Sequence, residues 1–295
     1  MTARDSKEKS SSSLKSVLFI LILGGMGVAV GYFIGNWMKP VEEGASDGPQ
    51  WANILVLILL MPLSYYLAIL LHELGHLLMG LVQKFTFAYL MVGPVMFRKV
   101  GKAYRFQRNR SFNLMGGFTA MLFPQEGDIR KKMIPYVAGG PFASLLTGVL
   151  GFVAFQAVGG TSGFFASDSL LTTAMVGFWG FFTLFSGFIL LISLFPRRMG
   201  IVQTDGARLI SLLSTSDSDA PEFLYYAHYQ SSIGGTHPRD YDRARLQKVI
   251  AAGEETAYVP FVHLSLYLME IVAGNTLEAA AHMENALEGV AGQNP

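Results

Sequence analysis

Apolar residues fall in four long runs along this chain, and polar residues gather between and after them. The runs are Val17 to Met38, about Ala52 to Leu81, Met133 to Val158, and Leu170 to Phe195. Each reaches the roughly 20 residues a helix needs to cross a bilayer. The first is glycine-rich and follows Arg4, Lys7, Lys9 and Lys15. It exceeds the core of a signal peptide, so it reads as a retained span. Residues 1–14, with Ser10 to Ser13, read as a disordered tail. The third run reads as interrupted by Gly139-Gly140-Pro141. Shorter patterns lie between the second and third runs. Phe85 to Phe97 mixes β-branched and aromatic residues with Gly93-Pro94. Val95 to Val100 and Ala103 to Gln107 flank Gly101-Lys102, which predicts a hairpin. Ser111 to Phe123 is apolar but too short to span, and reads as a membrane-dipping loop or an extended strand.

Beyond Ser214 the pattern becomes that of an acidic, helical, soluble tail. Asp240 to Ala252, Phe261 to Ala273 and Leu277 to Val290 carry helical spacing, with a break and cap at Asn275-Thr276. Tyr241 to Leu246, together with Thr276 to Ala280, is similar to tetratricopeptide-type helical hairpins. A plain helical appendage fits the same pattern. The expected fold is therefore an α-helical polytopic membrane protein with four spans, a membrane-associated β-hairpin or re-entrant segment, and a small all-α C-terminal domain. Its expected parts are residues 1–50, a membrane core over 51–213, and the helical region 214–295.

Composition supports a membrane assignment. Hydrophobic residues make up 51% of the chain, charged ones 15%, and the mean hydropathy is +0.39. These values are too apolar for an ordinary soluble domain. There are no cysteines, so any metal must be held by His, Asp or Glu. The net charge of +1 averages two unlike parts. Lys84 to Lys132 holds ten basic residues against two acids, whereas Ser216 onward holds four against eleven. A basic loop on the cytoplasmic side accounts for the first better than a nucleic-acid surface does. The loop Lys39 to Gln50 carries Glu42, Glu43 and Asp47, Gly159 to Asp168 lacks Lys and Arg, and Pro196-Arg197-Arg198 closes the last span. Together they place both termini in the cytoplasm.

The second run ends in Leu71-His72-Glu73-Leu74-Gly75-His76-Leu77. His-Glu-x-x-His on a helix points two imidazoles at one metal, with the Glu placed to take a proton from water there. Ionisable groups at the end of a lipid-length helix are costly and usually functional. A catalytic site needs three protein ligands and an open position. No other histidine precedes His228, so a third ligand from the membrane core must be a carboxylate. The candidates are Glu126, Asp128, Asp168 and Asp205. Asp168 falls on the external side, and Glu126 and Asp128 sit among Arg130, Lys131 and Lys132. Asp205 lies near the start of a helix on the correct side, where capping is an equally good use for it.

Four segments in order resemble the site-2 protease family of intramembrane zinc metalloproteases. They are Ile69 to Leu77, Leu114 to Thr119, Ala138-Gly139-Gly140-Pro141, and Leu194-Phe195-Pro196 followed by Thr204 to Arg208. The resemblance covers roughly residues 50–213. It implies one Zn²⁺ per chain held by His72, His76 and Asp205, with Glu73 as general base, in a minimal bacterial-type member without a PDZ insertion. It also implies cleavage of transmembrane segments of membrane-anchored regulators or of signal-peptide remnants, in a bacterial inner membrane. Ser144 and Ser193 stand where relatives often carry Asn residues that orient substrate or loops. A silent relative that binds transmembrane segments is the alternative, and the intact His-Glu-His-Asp set speaks against it. A transporter would need a polar path across the bilayer, which a single ionisable cluster does not make. The tail is the segment offered to a protein partner. His228, His237, His263 and His282 are irregularly spaced and read as surface or packing residues.

Overall fold

The computed structural model describes residues 50–101, 103–109, 116–123, 128–160, 169–199, 202–214, 220–252 and 258–291. The expected span Val17 to Met38 and the candidates Glu126 and Asp168 lie outside the described residues.

Three helices are long and apolar enough to cross a membrane: α1 (Gln50–Val82), α2 (Ile129–Ala157) and α3 (Leu170–Leu194). Hydrocarbon offers backbone amides no partners, so apolar runs of this length close their hydrogen bonds internally. Leu55, Ile58, Leu59, Phe142, Val149, Phe152, Leu171 and Leu191 stay exposed on the bundle surface, as lipid-facing side chains do. Asp128 caps α2 by accepting from Lys131 N at 3.1 Å, and its carboxylate pairs with Lys131 Nζ at 3.3 Å. The helix then continues through Pro135 and Pro141, so Gly139-Gly140-Pro141 does not interrupt the span. Instead, Gly139 sits against Gly75. A Cβ on either glycine would strike the other's carbonyl, so α1 and α2 cross in backbone contact.

The segment between α1 and α2 is a four-stranded antiparallel sheet, not a hairpin alone. Its strands are β1 (Thr86–Val92), β2 (Val95–Val100), β3 (Ala103–Arg108) and β4 (Gly117–Leu122), in the order β3-β2-β1-β4. The expected hairpin is β2–β3, turning at Gly101 with φ +62°. Of the two readings for Ser111 to Phe123, a strand is the one observed over 117–122. It pairs with β1, setting Thr119 opposite Leu90 and Gly117 opposite Val92.

A two-residue pairing of β5 (Arg198–Met199) with β6 (Val202–Gln203) follows α3 and leads into α4 (Asp205–Ser214). The C-terminal helices are α5 (Pro221–Ile233), α6 (Arg243–Ala251), α7 (Val259–Ala273) and α8 (Thr276–Ala291). The sequence pattern did not single out α5. Its Phe223, Leu224 and Tyr225 share one buried core with Phe85, Met121, Met133 and Tyr136 from the sheet and α2, and with Leu246 and Val262. The tail is thus built onto the site side of the membrane bundle. Gly274, at φ +86°, ends α7, and Asn275 bonds Glu270 Oε2 at 2.7 Å before α8 begins.

His228 on α5 is a packing residue, as expected from the sequence. It is buried, meets Ser265 Oγ through Nε2 at 2.9 Å, and stands edge-on to Tyr241. Burial, reinforced by Arg245, holds its imidazolium form down to a pKa of about 4, against the partial pull of Asp242. The unfolded chain therefore binds the extra proton between pH 6.5 and 4, and folding stability is lost as pH falls through that window. Thermal unfolding from pH 7 to 4.5 is expected to show destabilisation approaching about 1.4 kcal/mol per pH unit from this group. The contribution should vanish in His228→Gln, as read by tryptophan fluorescence.

Candidate metal centre

Four polar side chains converge where α1, α2, β4 and α4 meet. His72 and His76 lie one turn apart on α1, with Nε2 atoms 3.3 Å from each other. Asp205 Oδ2 is 3.3 Å from His72 Nε2 and 3.4 Å from His76 Nε2. Metal–ligand bonds of about 2.0–2.1 Å at tetrahedral angles separate their donor atoms by about 3.3–3.4 Å. The triangle of donors therefore fits a tetrahedral ion, with its fourth position left for water or substrate. Among the described residues this is the single group of three or more His, Cys, Asp or Glu side chains so arranged.

The ring nitrogens facing away from the triangle are engaged. His76 Nδ1–H donates to the carbonyl of Tyr136 at 2.9 Å, which leaves Nε2 with the lone pair a metal requires. His72 Nδ1 meets Ser144 Oγ at 2.9 Å. Ser144, at a position where the sequence points to substrate orientation, instead orients the His72 imidazole. Both contacts come from α2, and Gly140 lies between them. A Cβ there would collide with Nε2 of both histidines, so only glycine lets α2 pass so close.

Asp205 reaches the cluster because its neighbour supplies the cap. Thr204 Oγ1 accepts from Ala207 N at 3.4 Å and donates to the Phe195 carbonyl at 2.7 Å. Thr204 N also donates to Arg197 O at 3.1 Å. With the helix start satisfied by Thr204, the Asp205 carboxylate is free to turn inward. Burial pushes the Asp205 carboxyl up, but positive charge at the His76 and His72 Nε2 atoms, carried by protons when no metal is bound, outweighs it and holds the group well below the usual carboxylate range. The ionised carboxylate is the form a cation binds. Asp128, by contrast, is spent on its own helix cap and does not join the cluster.

Glu73 is buried beside the triangle. Thr119 Oγ1 donates to its Oε2 at 2.7 Å and lies 3.1 Å from its backbone carbonyl. The Tyr136 hydroxyl in turn donates to Thr119 O at 2.9 Å. Tyr136 thus supports His76 through its carbonyl and the strand that holds Glu73 through its hydroxyl. In front of the cluster is a cavity of about 320 Å³, walled by Phe118, Arg208, Phe223, Tyr226 and Tyr258 among others. Arg208 lies 3.7 Å over the ring of Tyr226, whose hydroxyl accepts from Gln230 at 2.6 Å. The sequence assigns no role at the site to Thr119, Tyr136, Arg208 or Tyr226, although Thr119 and Arg208 fall within the segments that resemble site-2 proteases. The aromatic spacing of Phe223, Tyr226 and Tyr229 at three residues was the available signal for the wall.

Comparison of the chain with protein-family models, curated proteins and solved structures finds no match. The site's chemistry therefore rests on its own geometry.

Removing the Ser144 hydroxyl should loosen His72 without deleting a donor. Ser144→Ala is expected to weaken metal affinity by roughly 10–100-fold, while Asp128→Ala leaves it unchanged. Competition against a fluorescent chelator measures both.

Proposed function

We propose that this protein is a zinc-dependent endopeptidase that cleaves transmembrane or membrane-anchored peptide segments. The observation that carries this reading is the buried His72–His76–Asp205 triangle with Glu73 alongside, at the end of a helix long enough to cross a bilayer. Zinc bound there supplies Lewis acidity, polarising a peptide carbonyl and lowering the pKa of water. The resemblance to site-2 proteases in four ordered segments agrees with this reading.

The chain's own residues have distinct tasks. Glu73 takes the proton from the attacking water and returns it to the leaving amine. Thr119 holds one oxygen of that carboxylate, and the other lies against Gly117. Strand β4 stands at an edge of its sheet, with Gly117, Phe118 and Thr119 on the cavity wall. A substrate helix has its amides locked internally, so cleavage requires local unwinding, and an edge strand offers partners to the unwound stretch. The active face points towards the cytoplasm, since the basic loop residues follow α1 directly.

The test uses single-span model peptides carrying a helix-breaking pair near one end, incubated with the protein in detergent micelles. Mass spectrometry should identify two product fragments, and a zinc chelator should abolish them. Glu73→Gln is expected to lower kcat by roughly 10²–10⁴-fold with metal content retained. Thr119→Val should cost about tenfold by freeing the Glu73 carboxylate. Cleavage that survives Glu73→Gln or chelation would exclude this reading.

A further inference from the structure

The cavity in front of the metal centre holds one cation that the proposed chemistry leaves unused. Arg208 is the only Lys or Arg among its described lining residues. It follows Asp205 by three residues on α4, a spacing at which opposite charges commonly pair. They do not pair here. Asp205 turns to the two histidines, whereas the half-buried Arg208 guanidinium lies over the Tyr226 ring, with Cζ 3.7 Å from its centroid. Gln230, itself fully buried, donates to the Tyr226 hydroxyl at 2.6 Å and fixes that ring. A guanidinium over a ring is held by its face and its charge, and keeps its N–H donors for another partner. Among the described residues, no carboxylate pairs with Arg208 and no oxygen accepts from its guanidinium. Glu222 also borders the cavity, but its carboxylate accepts the Ser211 hydroxyl instead.

Two kinds of negative charge reach this cavity during the proposed reaction. One develops on the attacked carbonyl at the metal triangle, and the other is a carboxylate carried by the peptide itself. Position selects the second. Arg208 donates to none of His72, Glu73, His76 or Asp205, and it is held on the wall that α5 builds. The surroundings there are rings, chiefly Phe118, Phe223, Tyr225 and Tyr258. Between such walls a carboxylate gains more from two parallel N–H donors than it does in water. A peptide segment that spans a bilayer keeps its acidic residues out of the hydrocarbon core, so its carboxylates lie near the membrane boundary. His72 and His76 stand in the last three turns of α1, which is the matching depth.

We propose that Arg208 binds a carboxylate of the peptide beside the scissile bond, so that the preferred substrates are membrane-anchored segments with an acidic group at the membrane boundary. The inference rests on the peptidase reading above and names a substrate feature which that reading leaves open.

Binding is measured on the full-length Glu73→Gln protein, which reads affinity without turnover, by fluorescence anisotropy of labelled single-span peptides in detergent micelles. Two peptide pairs separate the sources of the carboxylate. One pair carries Glu or Gln, scanned through the positions flanking the helix-breaking residues. The other ends in a free carboxylate or a carboxamide. One pair should differ in Kd by roughly 10–100-fold in favour of the acid. Arg208→Gln should remove that difference, and Arg208→Glu should reverse it when Lys replaces the acid. Chelator competition checks that each variant keeps its metal. Equal affinity within both pairs overturns the proposal, whatever the variants do, and so does a preference that survives Arg208→Gln. A fall in kcat on Arg208→Gln, with Glu73 intact and no acid preference, also overturns it by assigning the guanidinium to the attacked carbonyl. Cleavage indifferent to the carboxylate removes this proposal alone. Peptides that are neither bound nor cleaved remove the peptidase reading with it.

Discussion

The backbone contact between Gly75 and Gly139 is the constraint on which the rest of this structure depends. It lets α1 and α2 approach more closely than any pair of larger residues would allow. From that crossing, α2 delivers three groups to the histidines of α1: the Tyr136 carbonyl, the Ser144 hydroxyl and the empty flank of Gly140. A wider crossing would leave both Nδ1 atoms without partners, and the imidazoles without a fixed tautomer or direction. Positioning the two imidazoles is thus a packing problem solved between helices before any metal is considered.

Burying two imidazoles and two carboxylates together is costly unless each polar atom is engaged. The protein meets that condition by dividing tasks between neighbours. Thr204 caps α4, so Asp205 need not. Thr119 holds Glu73, and Tyr136 holds both Thr119 and His76. The C-terminal helices take part in this arrangement. Tyr226 stacks on Arg208 from α4, and Phe223 joins the core under the sheet. What the sequence marked as a separate soluble tail is therefore one wall of the site's cavity.

How much of this was legible in the sequence follows from what each feature leaves in the pattern. The three described membrane-length helices are legible as long apolar runs whose ends agree within a few residues, although Gly139-Gly140-Pro141 reads as an interruption where the helix in fact continues. The β2–β3 hairpin showed through Gly101. His72, Glu73 and His76 were legible because their spacing is local to one helix. Asp205 was ambiguous between ligand and cap, and the ambiguity lay in Thr204, whose capping role needs the position of Phe195 to be recognised. Ser144, Thr119 and Tyr136 act through contacts 72, 46 and 60 residues away in sequence, and no local spacing encodes those. Helix α5 was missed because its aromatic residues face both the core and the cavity, which blurs the one-sided pattern of a surface helix.

The claim on which everything else stands is that His72, His76 and Asp205 bind one metal ion between them. Elemental analysis of the purified, metal-replete protein tests it most directly, by inductively coupled plasma mass spectrometry on wild type, His72→Ala and Asp205→Ala. The expected result is one zinc per chain in wild type and loss in both variants, each remaining monodisperse. Wild type without stoichiometric metal, or an Asp205→Ala variant that keeps it, would contradict the account.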